Sequence, residues 1–296
     1  MITASHLTKQ FGSIKAVDDI SFAIERGRTF GLLGPNGAGK STTINMIVGL
    51  LRPDSGELSI NGKSDPTNPE VRRQLGNAPQ SLSLYEELTA EENLRFHGKL
   101  FRLSGAGLNQ RVDWALEFAM LTDRKKDRVS TYSGGMKRRL NMAIALIHDP
   151  QVVLFDEPTV GVDPQSRNAI FDAIEALKND GRTIVYTTHY MEEAERLCDQ
   201  VAIVDHGKIL ALDTVGGLID AHGGNSVVTI ELMEKPADPS SLPGELDGNR
   251  LRIETERPLE QVAELVGTGL KIRQLHVERA DLEQVFLNLT GRRLRD

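Results

Sequence analysis

The run Gly34-Pro35-Asn36-Gly37-Ala38-Gly39-Lys40-Ser41-Thr42 fits the pattern G-x-x-x-x-G-K-[ST] at every position. Before it, Thr29-Phe30-Gly31-Leu32-Leu33 reads as a buried strand; after it, residues 41–51 read as a helix. Strand, glycine-rich loop and helix in that order build an anion cradle at a strand end, which few folds provide. The glycines let backbone N–H groups turn toward one triphosphate, and the helix start adds a partial positive charge. Lys40 can then reach the β and γ oxygens, and Ser41 can ligate Mg2+. An ordinary glycine-rich connection is the bland alternative, and the flanking strand and helix argue against it.

From residue 2 to about 214, short apolar or β-branched segments alternate with helical ones, with strands expected at 30–33, 152–156, 183–187 and 201–204. The fold class is therefore α/β, a largely parallel sheet covered by helices with ligand loops at strand ends. A helical subdomain is expected at about 82–150, where Thr89-Ala90-Glu91-Glu92 forms a capping-box start and Leu108, Val112, Leu116 and Ala119 make one apolar stripe. After Thr214 the composition changes, with Gly216-Gly217, Gly223-Gly224 and a Pro-containing loop from Pro236 to Gly244. Two domains follow, 1–215 and 216–296, the second a small α+β module. Its strands are expected at 227–232, 251–255 and 270–277, and its helices at 259–266 and over Leu282, Val285, Phe286 and Leu289. Nothing in that module reads as catalytic, and the apolar face of its last helix must be buried, within the module or against a neighbour.

The segment Val152-Val153-Leu154-Phe155-Asp156-Glu157 is an apolar strand ending in two carboxylates. Adjacent strand residues point to opposite faces, so Asp156 can hold Mg2+, directly or through water, while Glu157 leaves the strand and can polarise the attacking water. Tyr132-Ser133-Gly134-Gly135-Met136 opens a helix whose stripe is Met136, Leu140, Ala143, Ile144 and Ile147, with Lys137, Arg138 and Arg139 expected to face out. Ser133 is a natural N-cap; a Ser-Gly-Gly start is either a simple cap or a second anion site.

Net charge is −7, which weakens general affinity for nucleic acid, and no nucleic-acid partner is expected. No apolar run approaches the ~18 residues of a membrane span. No basic region followed by an apolar one marks a secretion signal at the start, so a cytoplasmic location is expected. The single cysteine, Cys198, reads as a packed core residue.

Over roughly residues 2 to 214 the chain resembles the nucleotide-binding subunit of ATP-binding cassette (ABC) transporters, with a P-loop NTPase core and an inserted helical subdomain. Residues 34–42 look like the Walker A motif, 132–136 like the ABC signature, 152–157 like Walker B, Val160-Gly161-Val162-Asp163 like the D-loop, and His189 like the switch histidine. Gln80 lies where the Q-loop should be, and Phe11 matches the aromatic that stacks on adenine. The resemblance implies ATP and Mg2+ as ligands. It makes Glu157, His189 and Gln80 catalytic, has Ser41, Gln80 and Asp156 hold the metal, and has residues 34–42, Phe11, Ser133, Gly134 and Gly135 bind nucleotide. His189 would touch the γ-phosphate and help hold the water. Met136 stands where many members have glutamine, and Val-Gly-Val-Asp replaces the commoner Ser-Ala-Leu-Asp; neither change removes a catalytic group, and both fall on contacts between subunits.

The resemblance also implies partners. Cassettes of this family close head to tail in pairs, so a second copy of this chain is expected to supply Ser133 and Gly135 to the site built on Lys40. A polytopic membrane permease would hold the dimer on the cytoplasmic face of the membrane. Residues 281–292 and Ser133-Gly134-Gly135-Met136-Lys137-Arg138-Arg139-Leu140 are similar to the drug and antibiotic exporter ATPases of the daunorubicin-resistance group. The alternative is a soluble ABC ATPase acting on ribosomes or DNA. Such proteins carry two cassettes in one chain or a long coiled-coil insertion, and neither is visible here. A guanine-specifying Asn-Lys-x-Asp segment, expected of a GTPase, is also missing.

Overall fold

The computed structural model describes residues 2–63, 65–234, 242–278 and 280–292. It divides into two compact units, Met1–Val215 and Gly216–Asp296.

The first unit opens with β1 (Ile2–Phe11) and β2 (Ile14–Ile24), an antiparallel pair. Next come β3 (Thr29–Leu33), α1 (Lys40–Ile47), β4 (Ser55–Ile60), α2 (Pro69–Arg72) and β5 (Leu75–Ala78). Three helices, α3 (Ala90–Leu100), α4 (Gly105–Phe118) and α5 (Gly134–Leu146), precede β6 (Val152–Asp156). The unit ends with α6 (Pro164–Asn179), β7 (Thr183–Thr188), α7 (Met191–Leu197), β8 (Gln200–Asp205) and β9 (Lys208–Asp213).

Six strands form the main sheet in the order β5-β6-β7-β3-β8-β9, parallel except for the β8–β9 hairpin. That hairpin turns on His206 and Gly207, both at positive φ, as a two-residue connection requires. β3, β6 and β7 are buried along their whole length, which is why they show no alternation of apolar and charged residues.

A second, three-stranded antiparallel sheet, β2-β1-β4, corrects the expectation of a single largely parallel sheet. Its strands escape a period-two reading because bulges interrupt β1, with His6 and Asp19 both in the left-handed region. Ile2, Leu7, Ile20 and Ile24 from this sheet share a core with Phe30, Leu32, Ile44, Met46, Leu154 and Val185. Each such fully buried side chain contributes about 1.5–3 kcal/mol relative to exposure. α1 stops at Ile47 rather than near 51, because Gly49 turns the chain at φ +70.

The inserted helices have their own core of Leu94, Leu108, Val112, Leu116, Leu140, Ala143 and Ile144. Thr89 closes the expected capping box: its Oγ1 accepts from Glu92 N at 3.1 Å, and Glu92 Oε2 accepts from Thr89 N at 2.8 Å. Cys198 is a free, buried thiol whose pKa burial pushes well up, so it stays protonated and inert.

At the boundary of the two units begins α8 (Val215–His222), with Gly216-Gly217 in its first turn. The second unit continues with β10 (Ser226–Leu232), β11 (Glu245–Asp247), β12 (Arg250–Thr255), α9 (Pro258–Gly267), β13 (Ile272–Glu278) and α10 (Leu282–Thr290). Its sheet is antiparallel, order β11-β12-β10-β13, and Val228, Ile230, Leu251, Ile253 and Leu265 form its core. The short β11 went unread in the sequence. On α10, Leu282, Val285 and Phe286 are buried and Leu289 is partly so. Most of the Pro-containing loop, 235–241, and the basic end, 293–296, lie outside the described residues.

Candidate active site

The loop after β3 is shaped by close approach. A Cβ on Gly34 would fall 2.0 Å from Val204 O, and one on Gly39 would fall 2.3 Å from Ala16 O at a φ of +104°. Gly37 has open space around it but sits at φ +82, so glycine is needed there for conformation alone. Gly34 N donates to Thr188 O at 3.2 Å, and Gly207 N donates to Ala38 O at 3.1 Å, which ties the loop to the ends of β7 and β8. Asn36 and Gly37 are exposed, Ala38 is buried, and Pro35, Ser41 and Thr42 are half-buried. Lys40 is 4% exposed and folds back over the loop, with Nζ donating to Gly34 O at 2.7 Å and Pro35 O at 3.0 Å.

Glu157 is where the site converges. It is a non-glycine residue at φ +47, a conformation that costs free energy and recurs where geometry is functional. Its backbone N–H lies 3.2 Å from Thr187 O and 3.0 Å from Thr187 Oγ1, which holds it there. Oε1 lies 3.0 Å from Lys40 Nζ and 3.4 Å from His189 Nδ1, while Oε2 accepts from Gln80 Nε2 at 3.0 Å. His189 Nδ1 is buried without an aligned hydrogen-bond partner, and its ring packs against Tyr190 with centroids 4.1 Å apart. Asp156 takes its own route, with Oδ1 accepting from Thr187 Oγ1 at 2.5 Å.

Ser41, Gln80 and Asp156 line one cavity of about 700 Å³. Among the described residues no cluster of three or more His, Cys, Asp or Glu side chains could hold a metal by itself. A hydroxyl, an amide oxygen and a single carboxylate suit a hard cation that shares its shell with substrate phosphates. The donor set therefore fits Mg2+ held jointly with a nucleotide.

Ser133 caps α5, its Oγ accepting from Met136 N at 3.3 Å. Ser133 and Gly134 are exposed, whereas Gly135 is pressed against α6. Among the described residues no hydrogen bond or ion pair joins residues 133–135 to Lys40 or Glu157. Phe11, at the end of β1, is 48% exposed, with Lys9 Nζ 5.7 Å from its ring centroid. An aromatic left open at a strand end is available to stack.

One expectation fails. Arg138 does not face out: it is buried, its guanidinium donating to Gln80 O at 2.7 Å, Pro79 O at 3.4 Å and Val160 O at 3.5 Å. Burial lowers its pKa, and the carboxylates of Asp156 and Glu157 oppose that shift. Three carbonyls distant in sequence satisfy it, which no helical periodicity could reveal. Arg139 is half-buried and donates to Ala119 O at 2.7 Å. Thr187 was also missed as a site residue, because it reads simply as strand.

The sequence profile described as ABC transporter matches residues 17–160. Linearmycin resistance ATP-binding protein LnrL of Bacillus subtilis is 40% identical over all of this chain and all of that protein. Nod factor export ATP-binding protein I of Cupriavidus pinatubonensis is 41% identical over 97% of this chain and 90% of that protein. Among solved structures, an ATP-binding subunit of an ABC transporter superposes with TM-score 0.68 at 34% identity, covering 75% of this chain and 93% of that one. A dimeric ATP-binding cassette in a post-hydrolysis state bound to ADP and Pi gives TM-score 0.66 at 27% identity, covering 72% of this chain and 98% of that one.

Proposed function

Since this chain belongs to the ABC transporter family as an ATPase, we propose that it drives export: two copies close head to tail around two ATP molecules and act on a separate polytopic permease at the cytoplasmic face of a membrane. The observation that carries the catalytic part is the meeting of Lys40, Gln80 and His189 on the Glu157 carboxylate, within 3.0–3.4 Å.

In this reading Phe11 stacks on adenine and the backbone N–H groups of residues 34–42 surround the phosphates. Lys40 exchanges its carbonyl and carboxylate partners for the β and γ oxygens, which frees Glu157 to orient and polarise the attacking water. His189 donates toward the γ-phosphate from the neighbouring strand end, and Gln80 spans the water site from the opposite side. Ser41, Asp156 and Gln80 would hold Mg2+, which when bound offsets charge on the phosphate oxygens. The exposed Ser133-Gly134 start of α5 offers unpaired backbone N–H groups to a nucleotide held by the other copy.

Export is supported by two full-length relatives, one named for linearmycin resistance and one for Nod factor export. Among the described residues no helix is long and apolar enough to cross a membrane, and in this reading the pathway is lined by the separate permease. A ribosome- or DNA-directed role has no such support, and a net charge of −7 disfavours it.

Glu157→Gln tests the catalytic core: hydrolysis should fall about 100-fold or more while ATP remains bound and a dimer accumulates. Wild-type turnover would refute the assignment. Copurification of a polytopic membrane protein that raises the ATPase rate tests the transport role; a rate indifferent to any membrane partner would count against it.

A further inference from the structure

Glu193 of α7 is fully buried, and every polar contact around its carboxylate is a donor. Oε1 accepts from Thr159 Oγ1 at 2.7 Å and lies 3.1 Å from Arg167 Nε, an ion pair rather than an aligned hydrogen bond. Oε2 accepts from Tyr186 OH at 2.8 Å and from Thr188 Oγ1 at 2.7 Å. A carboxylate out of water persists only with its lone pairs filled and a cation beside it, and this one has both.

The donors mark what the carboxylate joins. Thr188 precedes His189, and its Oγ1 also accepts from Tyr190 N at 2.9 Å, so both backbone neighbours of His189 are fixed to one hydroxyl. Thr159 follows Glu157 by two residues, inside the turn where Val160 N donates to Glu157 O at 3.3 Å. Arg167 belongs to α6, and its guanidinium lies 5.3 Å from the ring centroids of both Phe171 and Tyr190. One buried side chain therefore links the segment after β6, the end of β7 and the first turns of α6.

We infer that Glu193 is a positioning residue for hydrolysis: by holding Thr159 and Thr188 together it sets the separation between Glu157 and His189. It touches no substrate and acts only through those two groups, so the inference rests on their proposed roles. An amide could not replace it, because Glu193→Gln turns an NH2 group toward donors and removes the charge facing Arg167.

The test compares three near-isosteric changes in the full-length protein. Glu193→Gln and Thr188→Val should each lower kcat at least tenfold with KM for ATP within twofold, since misplacement by about 1 Å can cost 10²-fold. Tyr186→Phe deletes a hydrogen bond to the same oxygen from within β7, where the ladders to β3 and β6 and not this hydroxyl fix the backbone; it should lower the melting temperature comparably and leave kcat within twofold. Wild-type turnover in Glu193→Gln overturns the inference, as does kcat falling in step with melting temperature in all three. If Glu193→Gln fails to fold, the contrast between Thr188→Val and Tyr186→Phe decides alone. Parallel assays of Glu157→Gln and His189→Ala separate the two ideas: if both are inactive and Glu193→Gln is not, only the positioning role falls.

Discussion

Gly135→Ala is expected to destabilise the first unit by about 1–3 kcal/mol, the usual cost of forcing a methyl group into filled space. A Cβ at 135 would fall 2.2 Å from Ser166 Oγ and 2.5 Å from Ser166 Cβ. A rotamer change can swing the hydroxyl aside, but the Ser166 Cβ is fixed to the backbone of α6. The two helices must then part by roughly 1 Å to regain an ordinary carbon–carbon contact of about 3.5–4.0 Å. At about 2–4 °C per kcal/mol for a unit of this size, the melting temperature should drop by roughly 2–12 °C. Gly134→Ala is the internal control: its Cβ would meet only Gly161 O, at 3.7 Å, an ordinary contact. That variant should melt at or slightly above the wild-type temperature, because alanine is the better helix former. Any loss of hydrolysis in it would then report close approach of a nucleotide rather than damage to the fold. Calorimetry on both variants, with Ser166→Gly in each background, gives the coupling, expected to exceed about 0.5 kcal/mol only for Gly135→Ala. Equal melting temperatures for the two variants, or no relief from Ser166→Gly, would refute the steric account.

Other outcomes follow from the same contacts. Glu157→Gln should tighten binding of a non-hydrolysable ATP analogue by about tenfold or more, because a charged hydrogen-bond competitor for Lys40, worth about 1.5–3 kcal/mol, is gone; unchanged affinity by titration calorimetry would show that the apo ion pair does not oppose nucleotide entry. Gly39→Ala should abolish measurable nucleotide binding, since the methyl would meet Ala16 O at 2.3 Å in a conformation alanine avoids; retained affinity would count against the cradle geometry. Phe11→Ala should weaken ATP binding by about 1–3 kcal/mol if the ring carries the adenine, and leave the melting temperature unchanged. His148 stacks on Phe101 and is held neutral by burial, with its pKa lowered from 6.5 to about 4. The unfolded chain binds the extra proton first, so this residue's contribution, up to about 3 kcal/mol, is complete above about pH 6.5 and lost as pH falls toward 4; an equally acid-sensitive His148→Gln variant would remove that explanation.

The phosphate loop and the Asp156-Glu157 strand end were legible as local patterns whose geometry follows from their own few residues, whereas His189, a lone histidine after a strand, stood out only through the family resemblance. Long-range partners decided what was not. Arg138 sits in a basic run that looks solvated, and only the carbonyls of Pro79, Gln80 and Val160 make its burial tolerable. Glu193 reads as one acid among Glu192, Glu193 and Glu195 on a short helix, while the fold encloses it completely. β1 and β2 lost their alternation to bulges, and the helix that runs through Gly216-Gly217, where the two units divide, went unread because paired glycines disfavour one.

Three of the groups at the hydrolytic centre stand on one lattice. Glu157 follows β6, His189 follows β7 and Lys40 opens the helix after β3, and these strands are consecutive in the sheet. Gln80 follows the edge strand β5 on an exposed stretch, and its side chain meets the centre through a single 3.0 Å bond. In the proposed mechanism each turnover would then have one coordinate to search instead of four, the entropy of aligning the rest having been spent once, during folding. Under the proposed roles, a load on residue 80 through the edge strand or through Arg138 would throttle the rate while the phosphate loop keeps its grip, so timing and affinity would answer to different parts of the molecule.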